Sequence, residues 1–333
     1  MHSQPNRDPA TPHPPDRSSQ APDVPVWAAD GLLFHSLGHF LRRKFGGAVR
    51  KVSVDVALGC PNRDGTVSSA GCIFCDPTAF SPSRRGPSGT ITEQIDEGVR
   101  RIRTRFSVEK FIAYFQPETN TYAPVDRLRE MFEEAIGHPR VVALAVGTRP
   151  DCVADEALDL LAQLAQRTDV TLELGIQTFD DDALRWMNRG HDAATSLDAV
   201  ARARSSGLSV GAHLILGLPD ETRDMVKETA RTINRLGIES VKLHNLYAVR
   251  GTKLAELVES GEVELPDRPE YIERVVRFLE ELDPACVIDR LSGEAPPHFV
   301  VAPKWCLSKA NLRQAIEARL RERGSRQGSR FRP

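Results

Sequence analysis

From residue 51 onward the chain repeats one unit: a short run rich in Val, Ile or Leu, a polar or Gly/Pro-rich loop, and a segment of helical period. Strands are expected at 51–58, 110–115, 141–146, 170–176, 209–216 and 240–246, with helices at 91–106, 125–136, 154–166, within 181–206 and at 222–236. Such strands, separated by helices of ten or more residues, call for a parallel sheet with right-handed crossovers, because parallel neighbours cannot be joined by a hairpin. Six of them fit an incomplete barrel or an open doubly wound sheet, and periodicity does not separate the two. In either architecture the chemistry gathers in loops at the carboxyl ends of the strands. Here those loops hold a cysteine-rich stretch, FQPETNTYAP, GTRPDC, Gln177-Thr178-Phe179, GLPDE and residues 244–250. Cys75, Gln116, Thr148, Gln177, Gly217 and His244 are therefore expected on one face.

The cysteine-rich stretch is CPNRDGTVSSAGCIFC, residues 60 to 75, with Cys60, Cys72 and Cys75 in C-x11-C-x2-C spacing. Two thiolates separated by two residues bite one soft metal or adjacent corners of one cluster. A structural zinc site wants a fourth protein ligand; no His lies among these residues, and the next cysteine is Cys152. Three thiolates on a four-iron cluster leave one iron open to a ligand that reacts.

The wording CPNRDGT followed by GCxFC resembles the cluster loop of radical S-adenosylmethionine (SAM) enzymes, in the YhcC/YtqA-type group of the elongator-like branch. The usual family spacing is C-x3-C-x2-C, and the longer first gap fits this group. The resemblance, over roughly 34–320, implies an α/β fold: a six-stranded partial (β/α) TIM-like barrel with a C-terminal α+β extension. It also implies a [4Fe-4S] cluster on Cys60, Cys72 and Cys75, with SAM on the fourth iron. An electron from a flavodoxin or ferredoxin-type donor would cleave SAM into methionine and a 5′-deoxyadenosyl radical, which abstracts a substrate hydrogen. GIQTFDDDALRWMNRGHD is similar to a fourth-strand motif in which a glutamine meets the SAM ribose and an arginine the methionyl carboxylate, here Gln177 and Arg189. AHLILGLP matches a fifth-strand motif, DLIYGLP, with His213 in place of the aspartate and with Ile215 and Gly217 flanking the adenine. Gln116 and Asn120 follow the second strand, where relatives cap the methionyl ammonium. Thr148, Arg149, Cys152, Lys242 and His244 are rim candidates for substrate contact, although a lone cysteine such as Cys152 is by default a small buried hydrophobe. Cys286 and Cys306 lack the CxxC bite of a second cluster.

Elongator-like relatives act on tRNA, so RNA modification is the implied substrate class, with a small molecule as the alternative and a zinc- or cluster-binding regulatory module as the non-enzymatic one. The balance of 44 basic to 46 acidic residues carries no global footprint for nucleic acid, so RNA contact needs a local patch. Candidates are Arg84, Arg85, Arg149, Lys242, Arg250, Lys253, Lys304 and the basic end from Arg319. No run of eighteen apolar residues occurs, which leads to the expectation of a cytoplasmic protein without membrane contact. Residues 1–25 are polar and Pro-rich and are expected as a disordered leader. Leu32, Leu33, Leu37, Phe40 and Leu41 suggest a short amphipathic helix covering the outside of the barrel. The core is expected over 26–250, an extension over 251–323 with short strands at 286–291 and 300–305, and a disordered basic tail over 324–333. No stable protein partner is expected.

Overall fold

The computed structural model describes residues 24–81 and 89–333. Most of the expected leader, together with Arg84 and Arg85, lies outside the described residues. The chain enters through helices α1 (Val26–Ala29) and α2 (Leu37–Phe45), strand β1 (Val49–Val54) and the one-turn α3 (Pro77–Phe80). It then alternates α4 (Ile91–Arg103), β2 (Lys110–Phe115), α5 (Val125–Ile136), β3 (Val141–Thr148), α6 (Asp155–Ala165) and β4 (Asp169–Gln177). Helices α7 (Asp181–Trp186) and α8 (Ala193–Ser205) precede β5 (Ser209–Leu216), α9 (Arg223–Leu236), β6 (Ser240–Asn245) and the short β7 (Ala248–Val249). The last elements are α10 (Lys253–Glu259), α11 (Arg268–Glu281), β8 (Val287–Arg290), β9 (Val300–Ala302) and α12 (Lys309–Glu322).

Each strand of the main sheet divides its residues between two faces. Val52, Phe115, Leu144, Leu172, Leu214 and Leu243 point outward into one continuous core with the helices. Phe115 and Phe132 of α5 meet edge to face with ring centroids 5.0 Å apart. Helix α4 starts on a reciprocal cap: the Thr90 hydroxyl accepts from the Glu93 N–H, and the Glu93 carboxylate accepts from the Thr90 N–H.

All neighbours in the main sheet are parallel, in the order β1-β2-β3-β4-β5-β6-β8. Hydrogen bonds from one lysine show how the sheet curves. The Lys51 ammonium, on β1, donates to Glu173 of β4 and to Asp289 of β8. In a flat sheet those strands would lie about 14 Å and about 29 Å away at the usual strand spacing. The sheet is therefore curled into a partial barrel with these side chains inside it. The open doubly wound alternative is excluded.

Three expectations are corrected. Helix α2 does not cover the outside of the barrel. It packs against both edge strands, β1 and β8, and its Leu41 joins Val49, Ile112, Tyr114, Ala143 and Ala145, which face inward. A helix with one apolar face closes the amino-terminal end of the barrel more completely than it would the helix-covered exterior. The segment expected as a strand of the extension, β8, pairs with β6 and makes a seventh parallel strand. The basic tail is not disordered: Gln327 is 1 % exposed, donates to the carbonyls of Asp283 and Cys286, and accepts from the His35 N–H at 2.8 Å. The Arg330 N–H donates to the Glu280 carbonyl. Among the described residues no helix is long and apolar enough to cross a membrane.

Candidate active site

The loop after β1 is tied down before it presents its thiols. The Cys60 carbonyl accepts from the Arg63 and Asp64 N–H groups, and Asp64 accepts from the Thr66 N–H. The Asn62 amide donates to the Asn188 carbonyl and the Asn188 amide to the Gly71 carbonyl, each at 2.6 Å. The loop is thus latched to the turn after α7. Cys60, Cys72 and Cys75 line one cavity of about 270 Å³ at the carboxyl ends of the strands. Burial, then the neighbouring Cys72, pushes the Cys75 thiol up to about 12, with Cys60 adding to the shift. A thiolate at Cys75 therefore needs a positive partner, which an iron cluster would supply. Among the described residues no three His, Cys, Asp or Glu side chains converge on a single ion. A cluster that spreads its thiolates over three irons does not need that convergence, whereas a zinc site does.

The same cavity is lined by Gln116, Thr148, Arg149, Gln177, Arg189, His213, Ile215, Lys242 and His244. Arg189 is buried, and among the described residues no carboxylate pairs with it: one guanidinium nitrogen is 3.5 Å from Cys72 Sγ, another donates to the Gly175 carbonyl, and Nε is unsatisfied. That leaves it fit to receive a carboxylate beside the cluster loop. Gly175 makes the approach possible, since a Cβ there would lie 2.8 Å from Arg189 Nη2 and 2.9 Å from Gln177 Nε2. Gln177 holds φ +71°, a backbone strain at the end of β4 where the register with β5 shifts. Gln116 donates to Ser53 at 2.8 Å.

Three of the expected site residues are placed elsewhere. Asn120 does not line the cavity; its amide clamps the carbonyls of Phe115, Pro117 and Gly147. Gly217 turns away at φ +87°, where a Cβ would meet Pro266 at 2.5 Å, and its N–H donates to Glu221. Cys152 stands outside the lining beside Asp151, with burial pushing its thiol up to about 12. Arg149 grips Asp151 through two nitrogens at 2.9 and 2.7 Å.

Below the thiols lies a layer of buried charge that sequence reading missed, built from Lys51, Tyr114, Glu173, Asp289 and Arg290. Glu173 accepts from Lys242 and Lys51 at 2.5 Å each and from His213 at 2.7 Å. Burial would raise its carboxyl, but Lys242, Lys51 and His213 outweigh burial and hold it well below the usual range. Lys242 also reaches Asp289 at 3.3 Å and the Tyr114 hydroxyl at 2.9 Å. Burial, then Lys242, lowers His213 to about 4, so the neutral ring donates from Nε2 to Glu173. His244 stacks on it with centroids 5.4 Å apart. The available signal was a charged residue at an inward register position of an apolar strand, such as Glu173 within VTLELGI.

A partial parallel barrel with three thiols at its mouth defines a cluster-bearing enzyme class, and the family comparison agrees. The radical SAM superfamily pattern matches residues 56–233 and the Radical_SAM C-terminal domain pattern matches 238–322. The chain belongs to the radical SAM superfamily, whose enzymes use a [4Fe-4S] cluster and SAM. Within it the chain sits with the YhcC/YtqA-type group. It is 37% identical to YtqA of Bacillus subtilis over 298 residues, 90% of this chain and 92% of that protein. It is 34% identical to YhcC of Escherichia coli K12 over 293 residues, 88% and 94% of the two chains. A more distant relative, the tRNA uridine(34) acetyltransferase of Methanocaldococcus infernus, is 27% identical over 191 residues, 56% of this chain and 34% of its own. Among solved structures, archaeal Elp3 from M. infernus shares the fold with a TM-score of 0.63 at 19% identity, covering 85% of this chain and 64% of that one.

Proposed function

We propose that this radical SAM enzyme removes a hydrogen from a nucleoside of transfer RNA. The observation that carries the reading is the core shared with a relative named as a tRNA uridine(34) acetyltransferase. When bound, the cluster and SAM supply the hydrogen-abstracting radical. This chain's residues position and exclude water: Cys60, Cys72 and Cys75 would hold the cluster, Arg189 the methionyl carboxylate, and Gln177 and His213 the ribose edge. A flavodoxin or ferredoxin-type protein supplies the electron.

A small acidic substrate is the second reading, favoured by where the basic residues go. Arg149 and Lys242 turn inward onto Asp151 and onto Glu173 and Asp289. Arg319, Arg321, Arg323 and Arg330 each meet a glutamate. Comparing the nucleosides of bulk tRNA from cells with and without this protein decides between the two. The RNA reading expects one nucleoside mass to change and tRNA to bind with an affinity that falls as salt rises. Identical nucleoside profiles and no salt-dependent binding would hand the assignment to the small acid.

A further inference from the structure

The charges inside the barrel do not balance. Lys51 and Lys242 share Glu173 and Asp289, two cations against two carboxylates. Arg290, which follows Asp289 on β8 and lines the same cavity, is a third cation with no such partner. Its Nη2 lies 2.6 and 2.8 Å from the two ring nitrogens of His244, and its Nε is buried and unsatisfied. Among the described residues no carboxylate pairs with it, and Glu294, the other acid on this wall, is taken by Lys309 at 2.5 Å. His244 offers no charge, because burial, then Arg290 itself, holds its ring well below the ordinary histidine range. A half-buried guanidinium whose Nε is shut off from water and whose neighbour is a neutral imidazole is favourably completed by an anion.

We propose that Arg290 is the receptor for an anionic group of the substrate, a carboxylate or a phosphate, which docks on its planar fork inside the cavity. The fork suits both groups, since each presents two oxygens to two parallel N–H donors. The site is separate from the one that Arg189 makes for SAM: Arg189 stands with the cysteine loop against β4, and Arg290 lies on the edge strand beyond β6. This inference rests on the reading that the cavity admits the substrate, and it names a chemical feature that the substrate must carry. It holds for a nucleoside with an acidic substituent and for a small acid alike.

The test uses anaerobic, cluster-loaded, full-length protein, titrated calorimetrically with N-acetylglycine and with inorganic phosphate, with and without saturating SAM. Wild type is compared with Arg290→Gln and Arg290→Lys. At least one probe should bind the wild type, and its dissociation constant should rise about tenfold or more in Arg290→Gln. Arg290→Lys keeps the charge and loses the fork, so it should fall between the two. It carries the comparison alone if Arg290→Gln fails to fold. The probe that binds identifies the group. Neither probe binding the wild type, or both binding the variants as tightly as the wild type, overturns the proposal. An equal loss of SAM affinity also overturns it, because Arg290 would then serve the cofactor. Failure of the cavity reading itself shows separately, as wild-type protein that does not bind SAM.

Discussion

His213 occupies the place where related fifth-strand motifs carry an aspartate, and its surroundings explain how the substitution is accommodated. The carboxylate sits one strand away, at Glu173, where Lys51, Lys242 and His213 already occupy its oxygens. The ring stays neutral because burial and Lys242 oppose its protonation. Its value of about 4 in the folded chain lies below the ordinary 6.5 of the unfolded one, so the unfolded state takes up the proton first as pH falls. The stability from this group is complete above pH 6.5 and is lost as pH falls toward 4, by up to roughly 3 kcal/mol. Urea midpoints followed over that window should fall more steeply for the wild type than for His213→Gln; parallel curves would remove His213 from the acid response. The cysteines stood out by their spacing and Arg189 and Gln177 by a motif, and the fold brings all five to one cavity. The charged layer was not, because which lysine meets which carboxylate depends on how far the sheet curls. Lys51 and Asp289 are 238 positions apart and meet only after closure.

Elements differ in how well a sequence announces them. The six long strands run for six or more positions, and those buried on both faces, such as KFIAYF and VVALAVGT, show as near-continuous apolar runs between polar loops. Strand β8 has four residues and follows directly on α11, so its place beside β6 depended on packing that no local pattern carries. The carboxyl-terminal segment misled in the opposite direction, since its composition reads as a solvated basic end. One buried glutamine fixes it by joining His35 to the Asp283 and Cys286 carbonyls. Gln327→Ala should leave those groups unpaired at about 1–3 kcal/mol for each that water cannot reach. A lowered urea midpoint, equivalent to a stability loss of at least about 2 kcal/mol, with faster amide exchange at His35, is the expected outcome. An unchanged midpoint would mean that the tail contributes nothing to the closed barrel.

At the scale of the whole molecule, the curled sheet does two things at once. It carries the loops after β1 to β6 to one rim, so that residues from Cys60 to His244 face a common cavity. It also brings β1 and β8 close enough for Lys51 to bond Asp289, with α2 closing the end away from the thiols. The candidate chemistry is therefore gathered at one mouth, where three thiols would hold the cluster. The direct measurement is iron content and SAM cleavage in anaerobically reconstituted protein, comparing the wild type with Cys60→Ala, Cys72→Ala and Cys75→Ala and with Cys286→Ala as the control. The wild type and the control should carry about four irons per chain and cleave SAM, while each of the three rim variants loses cleavage. Full iron content together with SAM cleavage in the Cys72→Ala protein would contradict the assignment.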